Sequence, residues 1–104
     1  KDMLIVGGYK VFSREVEEKL YEHPDVEFCA IVGLPNPDRP GSEIVKAVIQ
    51  KPSGAGAKDL ATLKADIVAY SKENMAPYKI PKIVEFVDEI PLTAVGKVDK
   101  KALR

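Results

Sequence analysis

Proline and glycine fix the lengths of the pieces this chain can be built from. They recur so often that only the stretches between Gly8 and Pro24 and between Gly56 and Pro77 have room for a helix of three turns or more. The other runs are short, and several are rich in Val, Ile and Phe, as strands are.

Met3 to Val6 and Tyr9 to Phe12 flank Gly7-Gly8, a pair that tolerates positive φ and predicts a two-residue β-hairpin turn. Ser13 then offers a hydroxyl to cap a helix with Glu15 and Glu17 in its first turn, Val16 and Leu20 on its inner side, and Glu15 and Lys19 paired outside. His23-Pro24 stops it. His23 has no partner at metal-ligand or catalytic spacing and is assigned no chemistry.

Val26 to Val32 predicts a central strand, and Gly33 to Gly41 a loop. Glu43 to Gln50 alternates, with Val45, Ala47 and Ile49 on one side and Lys46 and Gln50 on the other. It predicts a strand with one wet face, paired antiparallel with the one before. Lys51 to Ala57 reads as a flexible connector. Asp59 caps a second, longest helix with the stripe Leu60, Leu63, Ile67 and Tyr70, running to about Asn74 and ended by Pro77. Tyr78 to Lys82 places an exposed ring among lysines, Ile83 to Val87 is a last strand, and a short helix closes the chain.

The fold class is therefore α+β: a single domain with a small central sheet, an N-terminal hairpin and helices packed on the sheet. The expected core draws on Val26, Phe28, Ala30, Val32, Val45, Ala47, Ile49, Leu63, Ile67, Val84 and Phe86.

Composition narrows the function. Sixteen basic and sixteen acidic residues leave no net field to draw nucleic acid or an anionic membrane. No apolar run approaches the roughly 20 residues of a membrane helix. The single cysteine, Cys29, sits in an apolar run and reads as a buried, inert thiol of a reducing compartment, so the protein is expected to be cytoplasmic. No metal-ligand cluster is visible. The chain starts at Lys1 and stops at Arg104 inside a helical pattern, which reads as a piece of a longer protein.

The tail, Pro91 to Arg104, holds the residue most in need of explanation. Lys97 follows Gly96, where the backbone can turn tightly, and its ammonium is a movable point charge suited to a phosphate or carboxylate, or else a solvated surface lysine. A phosphate-binding P-loop is excluded, because Pro91 stands where its first glycine belongs and Val98 where it needs Ser or Thr.

The run Lys1-Asp2-Met3-Leu4-Ile5-Val6-Gly7-Gly8-Tyr9-Lys10-Val11-Phe12-Ser13-Arg14-Glu15-Val16-Glu17 resembles the motif after the interdomain hinge of the adenylate-forming superfamily. Pro91 to Lys97 resembles its terminal catalytic-lysine motif, and Gly41-Ser42-Glu43 and Tyr78-Lys79-Ile80-Pro81 fall in the expected places between. The whole chain is thus similar to the C-terminal domain of that superfamily, nearest to medium- and long-chain or aromatic acyl-CoA synthetases.

The resemblance implies an AMP-forming acid–thiol ligase, using ATP and CoA as substrates and Mg2+ in the full-length enzyme. A carboxylate and ATP give acyl-AMP and pyrophosphate, and the CoA thiol then displaces AMP. It implies that a large N-terminal domain is absent, that the isolated piece is inactive, and that this domain begins at the hinge, Lys1 and Asp2. Lys97 becomes the adenylation lysine, brought in where two anions must meet. Gly7 and Gly8 form either a plain turn or a path along which pantetheine passes close to the backbone. Further CoA-binding candidates are Tyr9, Lys10, Arg39, Pro40, Tyr78, Lys79 and Lys82, with Tyr78 offering a face to adenine and the lysines charge to phosphate. The sequence departs from the family at Ser13, where proline is common, at Ile80, where some relatives carry arginine, and at Pro40, where some carry an aromatic. A carrier-protein-dependent adenylation domain and a non-catalytic α+β interaction module are the alternatives.

Overall fold

The computed structural model describes residues 3–52 and 59–104. The hinge residues Lys1 and Asp2, and most of the connector between Lys51 and Ala57, lie outside the described residues. Strands β1 (Met3–Val6) and β2 (Tyr9–Phe12) pair antiparallel, with Val6 opposite Tyr9. Gly7 and Gly8 have φ of 57° and 89°, so both central positions of the turn are left-handed, the type I′ geometry that matches strand twist.

Helix α1 (Ser13–Tyr21) follows at once. Its N-cap is Phe12, with no side-chain cap. Ser13 is therefore the first helical residue instead of the cap, and it is buried. Strand β3 (Cys29–Pro35) begins and ends three residues later than the expected Val26–Val32, so Gly33, Leu34 and Pro35 belong to the strand instead of the loop. It pairs antiparallel with β4 (Glu43–Gln50), as expected. Helix α2 (Leu60–Asn74) is capped by Asp59, whose carboxylate accepts from the Thr62 amide at 2.9 Å. A 3-10 turn (Pro77–Lys79) leads to β5 (Ile83–Val87), which lies parallel to β4, and α3 (Lys100–Leu103) ends the chain. The three-stranded sheet thus has the order β3-β4-β5.

Both faces of this sheet are covered. On one, Ile31, Val45, Ala47 and Ile49 pack with Leu4 and Val11 of the hairpin, Val16 and Leu20 of α1, and Leu63 and Ile67 of α2. On the other, Ala30, Val32 and Val48 pack against Ile90, just before the tail, and Leu103 within it. The wet face expected of β4 is therefore largely covered. Lys46 and Gln50 lie on it as fasteners: Lys46 Nζ pairs with Glu85 at 2.7 Å and donates to the Leu103 carbonyl at 3.0 Å, and Gln50 Oε1 accepts from the Ile90 amide at 3.0 Å. Phe28 and Phe86 are only partly buried, because each sits near a strand end. The free edge of β3 is closed by α1. Tyr21 bonds both backbone groups of Cys29, and Glu17 Oε2 accepts from the Ile31 amide at 2.8 Å, satisfying an edge that would otherwise invite pairing with another chain.

Candidate functional site

The tail folds into a second, very small hairpin. Leu92 bridges Val98, and the Asp99 amide donates to the Pro91 carbonyl at 2.9 Å. At its tip the Gly96 amide donates to the Thr93 carbonyl at 2.9 Å, while the Thr93 amide donates to the Lys97 carbonyl at 2.6 Å. With Gly96 at φ 85°, this is a type I turn closed by a left-handed bulge residue, which explains why a glycine must precede the lysine. Lys97 is thereby held at the end of a defined turn, exposed, on the side of the sheet that the tail covers.

The other candidate residues gather elsewhere. A cleft of about 350 Å³ lies between the first hairpin, the loop after β3 and the 3-10 turn, lined among others by Gly7, Tyr9, Arg39, Tyr78 and Lys82. Tyr9 and Tyr78 stack with ring centroids 4.3 Å apart and planes 13° from parallel, so Tyr78 is a half-buried member of an aromatic pair instead of an exposed ring. Arg39 is placed by the loop after β3. Asn36 Oδ1 accepts from the Asp38 amide, the Arg39 amide donates to the Asn36 carbonyl, and the Ser42 amide donates to the Arg39 carbonyl, giving two successive turns. A side chain on Gly7 would come within 3.5 Å of the Arg39 guanidinium. Gly8 has nothing within 4 Å of where a Cβ would stand, so the space above it is open.

Four candidates fall outside this lining. Gly8, Lys10 and Pro40 are exposed near its rim elements, and Lys79 turns the other way, its Nζ 3.5 Å from Glu15. That ion pair replaces the expected Glu15–Lys19 pair, since Lys19 reaches Glu22 instead. Lys79 Nζ still lies 5.9 Å from the centre of the Tyr78 ring.

Sequence reasoning placed Ser42 and Glu43 without giving them work. Ser42 Oγ accepts from the Gly7 amide at 2.9 Å, and Glu43 Oε1 accepts from the Ile5 amide at 3.0 Å. Together they fasten the first hairpin to the start of β4. Cys29 is buried, and desolvation, with Glu17 nearby, pushes its thiol up to about 12. It is a packing residue. His23 is buried, its Nδ1 accepting from the Asp25 amide and its ring edge-on to Tyr70. Among the described residues no group of three or more His, Cys, Asp or Glu side chains could hold a metal ion, and no helix is long and apolar enough to cross a membrane.

Comparison with known proteins identifies the family of the chain. Residues 15–97 match the family model described as AMP-binding enzyme C-terminal domain. The chain is 41% identical over 103 residues to a long-chain-fatty-acid–CoA ligase of Bacillus subtilis, covering 99% of this chain and 17% of that protein. It is 40% identical over 104 residues to a feruloyl-CoA synthase of an Amycolatopsis species, covering 100% of this chain and 20% of the relative. It therefore spans about a fifth of the length of these curated relatives. Among solved structures, the anthranilate CoA ligase AuaEII in complex with anthranoyl-AMP superposes with a TM-score of 0.84 at 40% identity, over 99% of this chain and 19% of that one. With the fold, the terminal lysine turn and a family model that matches most of its length, the chain belongs to the AMP-binding enzyme C-terminal domain family.

Proposed function

We propose that this chain is the mobile C-terminal domain of an ATP-dependent acyl-CoA ligase acting on a fatty or aromatic carboxylic acid in the cytoplasm, completed by a large N-terminal domain that carries the acyl and nucleotide pockets. The single observation that supports it best is the separation of two equipped places. Lys97 sits on a hydrogen-bonded turn of the tail that covers one sheet face, while the tyrosine cleft with Arg39 and Lys82 lies beside the first hairpin. A domain with two such places can serve two steps in turn by rotating.

In the first step a carboxylate oxygen attacks the α-phosphorus of ATP and pyrophosphate leaves. Lys97 supplies the positive charge that brings the two anions together and offsets charge building on the phosphoryl oxygens. In the second, the CoA sulfur attacks the acyl carbon, AMP leaves, and the thiol proton passes to solvent. Gly8 leaves room for the pantetheine arm, the Tyr78 face accepts the adenine, and Arg39 and Lys82 face its phosphates. These cations favour CoA over a carrier protein as the acceptor. Among the described residues no group of three or more His, Cys, Asp or Glu side chains could hold a metal ion, and no step is assigned to a metal held by this chain.

The test is the pair of half-reactions in the full-length parent. Lys97→Ala should slow carboxylate-dependent pyrophosphate release by about a hundredfold or more while leaving CoA transfer from supplied acyl-AMP nearly intact. Gly8→Leu should do the reverse. Because φ at Gly8 is 89°, the leucine variant carries about 1–2 kcal/mol of backbone strain, and its folding must be checked by thermal melting. Equal losses in both half-reactions for Lys97→Ala would make the lysine structural and overturn the proposal.

A further inference from the structure

The structure assigns Lys100 and Glu17 a joint role as the strut that aims the Lys97 turn, so that both are positioning residues for the adenylation step. This rests on the reading of Lys97 given above.

Lys100 opens α3, one residue beyond the point where the Asp99 amide closes the small hairpin on Pro91. Its side chain leaves the tail, passes the free edge of β3 and enters the start of α1, where Nζ lies 3.0 Å from Glu17 Oε2 and 3.0 Å from Ser13 Oγ. The lysine and glutamate side chains are 20% and 18% exposed, so this pair is far drier than the surface pair Arg14–Glu18, at 86% and 72%. Glu17 is itself fixed, because the same Oε2 accepts from the Ile31 amide at 2.8 Å. The three groups form one unit that joins the tail, the sheet edge and the first helix.

The apolar anchors cannot replace that unit. Ile90 and Leu103 hold the two ends of the segment on the sheet, with Gln50 and Lys46 bonding the Ile90 amide and the Leu103 carbonyl, but these bonds lie outside the small hairpin and apolar contact is not directional, so the hairpin between them can still pivot. A charged, hydrogen-bonded contact three residues from Lys97 fixes the direction. Catalysis by a positioned cation is sensitive to such aim, since a displacement of about 1 Å can cost about a hundredfold.

The experiment measures both half-reactions in the full-length parent carrying Lys97→Ala, Lys100→Met, Lys100→Arg, Glu17→Gln and the Lys100→Met/Glu17→Gln double substitution. Lys100→Met should slow pyrophosphate release tenfold or more and change CoA transfer from supplied acyl-AMP less than twofold. Lys100→Arg, which keeps the charge and the hydrogen bonds, should restore adenylation to within about threefold. The double variant should be no slower than Lys100→Met alone, because the two act as one unit. A Lys100→Met enzyme that adenylates normally overturns the inference. So does one whose two half-reactions fall together in step with a lowered melting temperature, or one that arginine fails to rescue. If Lys97→Ala itself spares adenylation, the reading of the lysine fails first, and the two failures are told apart.

Discussion

Gly33→Ala tests how the first hairpin is fastened to the sheet. Gly33 lies in β3 opposite Val45, and a Cβ there would stand 2.6 Å from Glu43 Oε2, 2.8 Å from Leu4 Cδ2 and 2.9 Å from Leu4 Cγ. The carboxylate is the end of a flexible side chain, but its other oxygen accepts from the Ile5 amide, and Leu4 is 3% exposed in the core. Neither neighbour can withdraw without a cost. Overpacking of this kind costs about 1–3 kcal/mol, and if Glu43 swings away the part-buried Ile5 amide loses its partner, for about 1–3 kcal/mol more. Those two penalties are alternatives in part, so we expect a total of about 2–4 kcal/mol. For a domain of this size each kcal/mol lowers the midpoint by about 4–8 °C, so the melting temperature should fall by roughly 10–25 °C. The assay is thermal unfolding of the chain followed by circular dichroism. Glu43→Ala removes the carboxylate that the new methyl meets, so in a double-mutant cycle Gly33→Ala should cost less in the Glu43→Ala background than in the wild type. A melting temperature within 2 °C of wild type, or strict additivity in the cycle, would refute the close packing of Leu4, Gly33 and Glu43 as the fastening of the hairpin.

Two further outcomes follow from the site and the core. Tyr78→Ala in the full-length parent should raise the KM for CoA, by the roughly 1–3 kcal/mol that a base gains on an aromatic face, while Tyr78→Phe stays close to wild type and carboxylate-dependent pyrophosphate release is unchanged. An unaltered KM for CoA would confine Tyr78 to its stack on Tyr9. At alkaline pH the chain should lose stability through Cys29. Its folded thiol is raised to about 12 by burial, against an ordinary value of about 8.5. The contribution is whole below about pH 8.5 and fades as pH rises toward 12, at no more than about 1.4 kcal/mol per pH unit. Tyr21, raised first by burial, acts in the same direction at the upper end. Urea unfolding at pH 7.5 and 10.5 should show a smaller loss in Cys29→Ala than in wild type, and equal losses would remove the thiol from the account.

Local chemistry was legible wherever the deciding neighbours are close in sequence. Gly7-Gly8 announced its turn because only glycine takes two successive positive φ values cheaply, and Asp59 announced its cap because the amide it accepts from is three residues away. Ser13 misled for the opposite reason. Its hydroxyl accepts from Lys100, 87 residues on, and no pattern around Ser13 contains that partner. The same holds for Glu15, whose i,i+4 lysine was at hand but whose partner in the fold is Lys79. Of the site, the resemblance supplied the candidates, and the structure groups Gly7, Tyr9, Arg39, Tyr78 and Lys82 around one cleft. It also adds Ser42 and Glu43, whose roles depend on amides more than thirty residues away.

The second face of the sheet changes how the tail must work. Lys46, Val48 and Gln50 share that face, and two polar residues outvoted Val48 in the reading of β4 as half wet. Val48 is fully buried, and the polar pair bonds the tail at the Leu103 carbonyl and the Ile90 amide. Polar side chains on a strand face are satisfied equally well by water or by a covering segment's backbone, so alternation alone cannot separate the two. The covering segment here is the one that ends in the Lys97 turn. The backbone that carries Lys97 is anchored on both sides, by Ile90 before it and by Leu103 and the Lys100–Glu17 pair after it, which opposes movement of the turn independent of the domain. On the proposed reading, in which Lys97 serves one step and withdraws for the other, the domain as a whole would carry it. Loosening the tail should therefore slow adenylation, whereas a freely moving lysine arm would tolerate it.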